Sequence, residues 1–192
     1  EKNLVYPTIL WKYGINEKLE FRLISELITN KNSSENLTGI NPIKVGFKAK
    51  LIEEKGIVPT TSFIGHLTIP FLSTVNFRTT YFAPSFRFTM QHSLTDKISL
   101  GYNLGAEWNG EIANPTFIYT LTSGKSFTDK VGGYIELYGF VPQKEKSEHR
   151  CDGGITYFLK PNIMFDISGG VGLTKNAPKY YSSLGFSIRI PN

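Results

Sequence analysis

Between Lys97 and Asn109 every second residue is apolar. Ile98, Leu100, Tyr102, Leu104, Ala106 and Trp108 share one parity, and Ser99, Gly101, Asn103, Gly105, Glu107 and Asn109 share the other. Period two over that length predicts a strand with one apolar and one polar face, because side chains alternate across the pleat. Helical spacing would place apolar residues at i, i+3, i+4 and i+7, and it fails here. The alternation recurs along the chain. Ile43, Val45, Phe47, Ala49 and Leu51 oppose Lys44, Gly46, Lys48 and Lys50, while Leu19, Phe21, Leu23 and Leu27 oppose Glu20, Arg22 and Glu26. Further along, Ile163, Phe165, Ile167, Val171 and Leu173 oppose Asp166, Ser168, Gly170 and Gly172. The pattern predicts about eleven strands: 4–13, 18–29, 41–53, 59–69, 79–93, 97–109, 115–124, 130–141, 149–159, 162–173 and 179–190.

The connections alternate in length. Short turns are predicted at Gly14-Ile15-Asn16-Glu17, Glu53-Glu54-Lys55-Gly56, Thr95-Asp96, Thr128-Asp129 and Lys160-Pro161, all rich in residues that suit turn dihedrals. Longer polar connections cover 30–36, 70–78, 110–114, 142–148 and 174–179. Short turns at one rim and longer loops at the other are the habit of an outer-membrane barrel. Thr-Asp-Lys occurs at 95–97 and again at 128–130. Its place one hairpin apart marks a repeated turn rather than a repeated site.

Alternation alone does not say which face is inside. A lipocalin-like barrel also alternates, with apolar residues turned inward. Strands of this length match the roughly 9–11 tilted residues that cross a hydrocarbon core. Eight strands already enclose one small ligand, so bulky apolar residues pointing inward from eleven would overfill the interior or leave an odd cavity. Trp11, Tyr13, Phe82, Trp108, Phe117, Tyr157 and Tyr180 lie near strand ends, where interfacial girdles form. The expected fold is an all-β, transmembrane, antiparallel up-and-down barrel, one domain over residues 1–192. Bacterial barrels have even strand numbers, and an open edge in lipid leaves backbone groups unsatisfied. The odd count therefore predicts a twelve-stranded barrel, with one strand preceding Glu1 or supplied by another chain.

Composition sharpens the exclusions. In 192 residues there are 14 Phe, 10 Tyr, 18 Gly and a single Cys, Cys151, which excludes an intramolecular disulfide. The formal charge is +5, but the basic residues are scattered or interleaved with apolar ones, unlike the clustered patch of a nucleic-acid binder. His66, His92 and His149 share no metal-ligand spacing. No serine or cysteine has the base and orienting partner that nucleophilic catalysis requires. The expectation is therefore no enzyme, no cofactor, no metal and no nucleic acid. The glycines at 169, 170 and 172 precede no helix, so they read as space for Tyr134, Tyr138 or Tyr181 rather than as a phosphate loop.

The stretch ISLGYNLGAEWNGEIANPTFIYTLTSGKSFTDKVGGYIELYGF, with the later DGGITYFLKPNIMFDISGGVGL, resembles the outer-membrane transporter family named for the MetA pathway of phenol degradation, in its Bacteroidetes-type members. The likeness covers most of the chain. It implies a barrel in the outer membrane of a Gram-negative cell with a transport role, and it transfers no catalytic residue.

With the polar face inside, Lys44, Lys48, Lys50, Arg87, Glu107, Glu136, Asp166 and Arg189 are the candidate lumen-lining residues. Lys12, Arg22, Arg150, Glu20, Glu26 and Asp152 share that face. Such charges either bias solute passage as rings or pair across strands and partly fill the lumen. Lys44, Lys48 and Lys50 need acidic neighbours, an anion or open water, and Glu20 and Glu26 on the preceding strand are candidate partners. The expected function is passive passage of small solutes, hydrophobic or aromatic ones among them. The alternative is a non-conducting barrel acting as scaffold in an outer-membrane complex. The expected partners are the lipid bilayer and other outer-membrane proteins.

Overall fold

The computed structural model describes residues 3–31 and 36–190. It contains twelve strands: β1 (Asn3–Asn16), β2 (Leu19–Lys31), β3 (Asn36–Ile40), β4 (Lys44–Ile52), β5 (Thr60–Thr68), β6 (Ala83–Ser93), β7 (Ile98–Glu107), β8 (Thr116–Ser126), β9 (Val131–Pro142), β10 (Glu148–Lys160), β11 (Ile163–Gly172) and β12 (Tyr180–Ile188). They form one antiparallel up-and-down sheet in which each strand of the path pairs with the next, β1-β2-β4 through to β12, with β3 branching off on β2. No α-helix occurs among the described residues; a short 3₁₀ turn at Val75–Phe77 lies within the β5–β6 connection. The chain divides into two compact units. One comprises Glu1–Ile52, Ser62–Phe88 and Gly105–Pro115; the other comprises Glu53–Thr61, Thr89–Leu104 and Thr116–Asn192.

The eleven strands of the path are those that the alternation predicts. The twelfth, β3, is not predicted: Asn36 ends the predicted polar connection 30–36, of which 32–35 lie outside the described residues, and the other four residues of β3 precede the strand predicted over 41–53. Both β3 and β4 pair with β2, but not in one register. Ile40 faces Leu27 and Lys44 faces Ile24, so two residues of β2 oppose the three at 41–43. Pro42 sits in that bulge, where its missing N–H leaves no ladder bond unmade. On the other side of β2 the register shifts again between Tyr6 and Thr8, at Pro7. Glu26 lies between the two bulges. Its carboxylate accepts the Thr8 hydroxyl at 2.9 Å and the Asn41 side-chain amide at 2.5 Å, tying both flanking strands to β2.

The turns use local side-chain acceptors. Thr95 Oγ1 accepts the N–H groups of Lys97 and Ile98 at 3.2 and 3.0 Å, and Thr128 Oγ1 accepts those of Lys130 and Val131 at the same distances. The repeated Thr-Asp-Lys is therefore a repeated turn device. Asn16 Oδ1 does the same for Lys18 and Leu19. The connection after β4 is longer than predicted, running over 53–59, and Glu54 from it accepts the Ser93 N–H at 2.8 Å.

Replacing Glu26 with Ala removes both bonds that flank the bulges. The expected loss is about 1–3 kcal/mol, read as a lower urea midpoint; Thr8→Ala and Asn41→Ala should each show a smaller loss. The Ser93 N–H holds the Glu54 carboxyl below its ordinary value. A depressed folded-state value gives stabilisation that is present above the ordinary carboxylate range and lost as pH falls through the lowered one. A carboxyl NMR titration should place Glu54 below its unfolded-state value, and Glu54→Gln should remove the acid-dependent part of Ser93 amide protection.

Candidate functional site

The candidate site is the polar face of the sheet, because the chemically active side chains gather there. In the first unit that face carries Lys12, Arg22, Lys44, Lys48, Lys50 and Arg87 against Glu20, Glu26 and Glu107. Register decides which of them meet. Lys48 stands opposite Glu20, as anticipated, while Lys44 stands opposite Ile24. Glu26 serves Thr8 and Asn41 instead of the lysines. Lys12 stands directly opposite Arg22, two like charges on neighbouring strands. Glu20 reaches Arg22 Nε at 3.4 Å without hydrogen-bond alignment, so that buried Nε keeps no hydrogen-bond partner among the described residues. Arg87 meets Glu107 at 3.5 Å, and both side chains are exposed. An exposed pair at that length contributes little.

The second unit has the opposite sign. Glu136 and Asp152 are direct cross-strand partners on β9 and β10. Two carboxylates so placed repel, and hydroxyls offset the repulsion: Thr122 donates to Glu136 and Tyr181 donates to Asp152. Asp166 stands opposite Thr156 on one side and Gly185 on the other. Arg150, a cation on this face, hydrogen-bonds Glu148 and lies 5.1 Å above the Phe140 ring. Asn103 bonds Thr120 at 2.6 Å. Arg189 follows the end of β12, where its N–H donates to the Asn162 carbonyl at 2.8 Å.

Glycines shape this face. A Cβ on Gly170 would lie 2.5 Å from the Tyr181 ring and 2.7 Å from Asp152 Cβ. Gly154 likewise makes room for Tyr134. Gly170 is the space anticipated for Tyr181, whereas Gly154 was not anticipated and Gly172 makes room for Ala177 and Pro178 instead of a tyrosine. A cavity of about 360 Å³ beside the Thr95 and Thr128 turns is walled by Ser99, Lys125, Tyr134 and Thr156. Another of about 1030 Å³ in the first unit is walled largely by Trp11, Phe21, Phe47, Phe63 and Phe86.

The histidines divide between the faces. By alternation His92 and His149 belong to the apolar face, where His92 pairs with Tyr102 at 3.3 Å and His149 with Tyr119 at 2.7 Å. His66 belongs to the polar face, and its buried Nε2 has no hydrogen-bond partner among the described residues. Its ring lies against Gly46, the cross-strand partner of Arg22. Sequence spacing missed this grouping, because Arg22, Gly46 and His66 meet only through inter-strand register. The signal that could have found it is the glycine at 46 between two lysines on the polar face.

Gly170→Ala should displace Tyr181 from Asp152 and cost about 1–3 kcal/mol through overpacking. The measurement is the denaturation midpoint. Gly14→Ala, where a Cβ would meet nothing within 4 Å, should leave it unchanged.

A comparison with curated proteins found no match. Residues 2–190 match the family described as "Putative MetA-pathway of phenol degradation", so the chain belongs to that family.

Proposed function

We propose that the chain is an outer-membrane β-barrel that lets small solutes pass along its polar face. The inversion of polarity carries this reading. Among the described residues the buried hydrophobic side chains are only Ala83, Ala106, Ile118 and Ala177. Leu184 is 81% exposed, Tyr180 74%, Trp11 61% and Phe186 59%. Each large apolar side chain left in water forgoes about 1.5–3 kcal/mol of burial, and hydrocarbon around the sheet supplies that burial instead. A ten-residue strand such as β7 or β11, tilted by about 40°, rises about 25 Å, the height of the apolar band of such barrels. No helix among the described residues is long and apolar enough to cross a membrane.

The path of eleven antiparallel strands leaves β1 and β12 running in the same direction. Antiparallel closure takes one more strand between them, from this polypeptide or another. A barrel so completed would have the even count usual in bacteria. Its lumen would be lined by Lys44, Lys48, Lys50, Arg87, Glu107, Glu136 and Asp166, with Arg189 at the rim. Tyr134, Tyr138 and Tyr181 on the polar face, with the phenol-degradation description of the family, support hydrophobic or aromatic solutes. One observation favours a scaffold instead. In the second unit, hydroxyls and amides bond across the polar face (Thr122 to Glu136, Tyr181 to Asp152, Asn103 to Thr120), as in a filled interior.

Single-channel recording of the full-length protein in planar bilayers separates the two readings. A conduit gives reproducible conductance whose ion selectivity shifts when Lys44, Lys48 and Lys50 are replaced by Gln. A barrel that inserts, folds and stays silent is a scaffold.

A further inference from the structure

We propose that Arg22, His66 and Arg87 form a binding site for small oxyanions, carboxylates or phosphates, on the polar face of the first unit. The geometry begins with Arg22. Its side chain is only 12% exposed, yet its cross-strand neighbours are Lys12 on β1 and Gly46 on β4. A sheltered guanidinium facing an ammonium is unfavourable unless negative charge joins them. Glycine at 46 lets the His66 ring close over the gap, since a Cβ there would lie 2.5 Å from the ring. Gly105 lets the β6 backbone approach at Arg87: a Cβ there would lie 2.1 Å from the Phe86 carbonyl oxygen and 3.0 Å from Arg87. Arg22, Gly46 and His66 wall one cavity, and the charge of Arg87 acts on both Arg22 and His66.

Protein carboxylates answer this cluster incompletely. Glu20, which stands opposite Lys48, reaches Arg22 at 3.4 Å without hydrogen-bond alignment, and Glu107 meets the exposed edge of Arg87 at 3.5 Å. No carboxylate lies within 4 Å of the Lys12 or Lys44 ammonium among the described residues. Arg22 Nε and His66 Nε2 are left as two buried polar atoms without hydrogen-bond partners. Guanidinium forks bind planar or tetrahedral oxyanions through paired N–H donors. An imidazole nitrogen beside them supplies one more contact. The site differs from the lysine run of β4, whose Lys48 already faces Glu20. It rests on the conduit reading only in that solute must reach the polar face.

The test uses the full-length protein in detergent micelles, titrated calorimetrically at low ionic strength with sodium benzoate and with inorganic phosphate. Saturable, salt-sensitive binding is expected, weakened about tenfold or more by Arg22→Gln and by Arg87→Gln. Lys48→Gln should change it less than about threefold. Arg87 is the more exposed arginine, so Arg87→Gln remains informative if Arg22→Gln fails to fold. Binding of both probes assigns the site to oxyanions in general, and binding of one assigns it to that class. Absence of saturable binding, or binding indifferent to both arginine substitutions, overturns the site. In planar bilayers, conductance with cation selectivity that Arg22→Gln and Arg87→Gln leave unmoved also overturns it while the conduit stands. A silent barrel that still binds the probes retires the conduit and keeps the site.

Discussion

The inter-strand backbone ladder is the constraint on which everything else in this molecule depends. Many large apolar side chains are exposed, and no large side chain is fully buried among the described residues. Core packing of the kind that holds a soluble domain together is therefore a minor term here. Backbone N–H and C=O groups have to be satisfied by the neighbouring strand, and each strand of the path has one. Departures from regular pairing consequently come with a side chain that repairs them. Glu26 does so between the bulges at Pro7 and Pro42, and the threonines at 95 and 128 do so at their turns.

The ladder also decides which charges meet. Sharing a parity puts two side chains on one face, but only register makes them neighbours. Lys48 finds Glu20, whereas Lys12 finds Arg22 and Glu136 finds Asp152. The two like-charged encounters are handled differently. The carboxylates of the second unit draw hydroxyl donors from Thr122 and Tyr181. The Lys12–Arg22 encounter of the first unit draws no hydroxyl donor among the described residues; the other cross-strand neighbour of Arg22 is Gly46, where the His66 ring fills the space. Hydroxyl donors suit carboxylates because a carboxylate only accepts hydrogen bonds, and a guanidinium, which only donates, gains nothing from them unless their lone pairs are turned to it.

Strand identity was legible from the sequence wherever a long segment kept strict period two. The run from Ile98 to Trp108 needed no tertiary information, and the repeated Thr-Asp-Lys announced a repeated turn. β3 was not legible. Asn36–Ile40 is five residues long, contains Gly39 and is followed by Pro42. Its place depends on the β5–β6 connection, from which Thr74 bonds both the N–H and the C=O of Ile40. The lysines of β4 could be read as a like-charged run from sequence. The grouping of Arg22 with His66 could not, because it forms across Gly46 of β4, whose register on β2 is set beyond the bulge at Pro42.

The two prolines have a mechanical consequence. Pro7 and Pro42 interrupt the ladder on both sides of β2 at the same level, beside Glu26. Beyond that level β2 is held by the outer part of β1 and by the five residues of β3; before it, by the regular stretches of β1 and β4. A sheet notched on both flanks of one strand has a seam there, and local opening stops where pairing is already broken. The outer end of β2 with β3 can thus breathe as a flap while the charged band around Arg22 keeps its register.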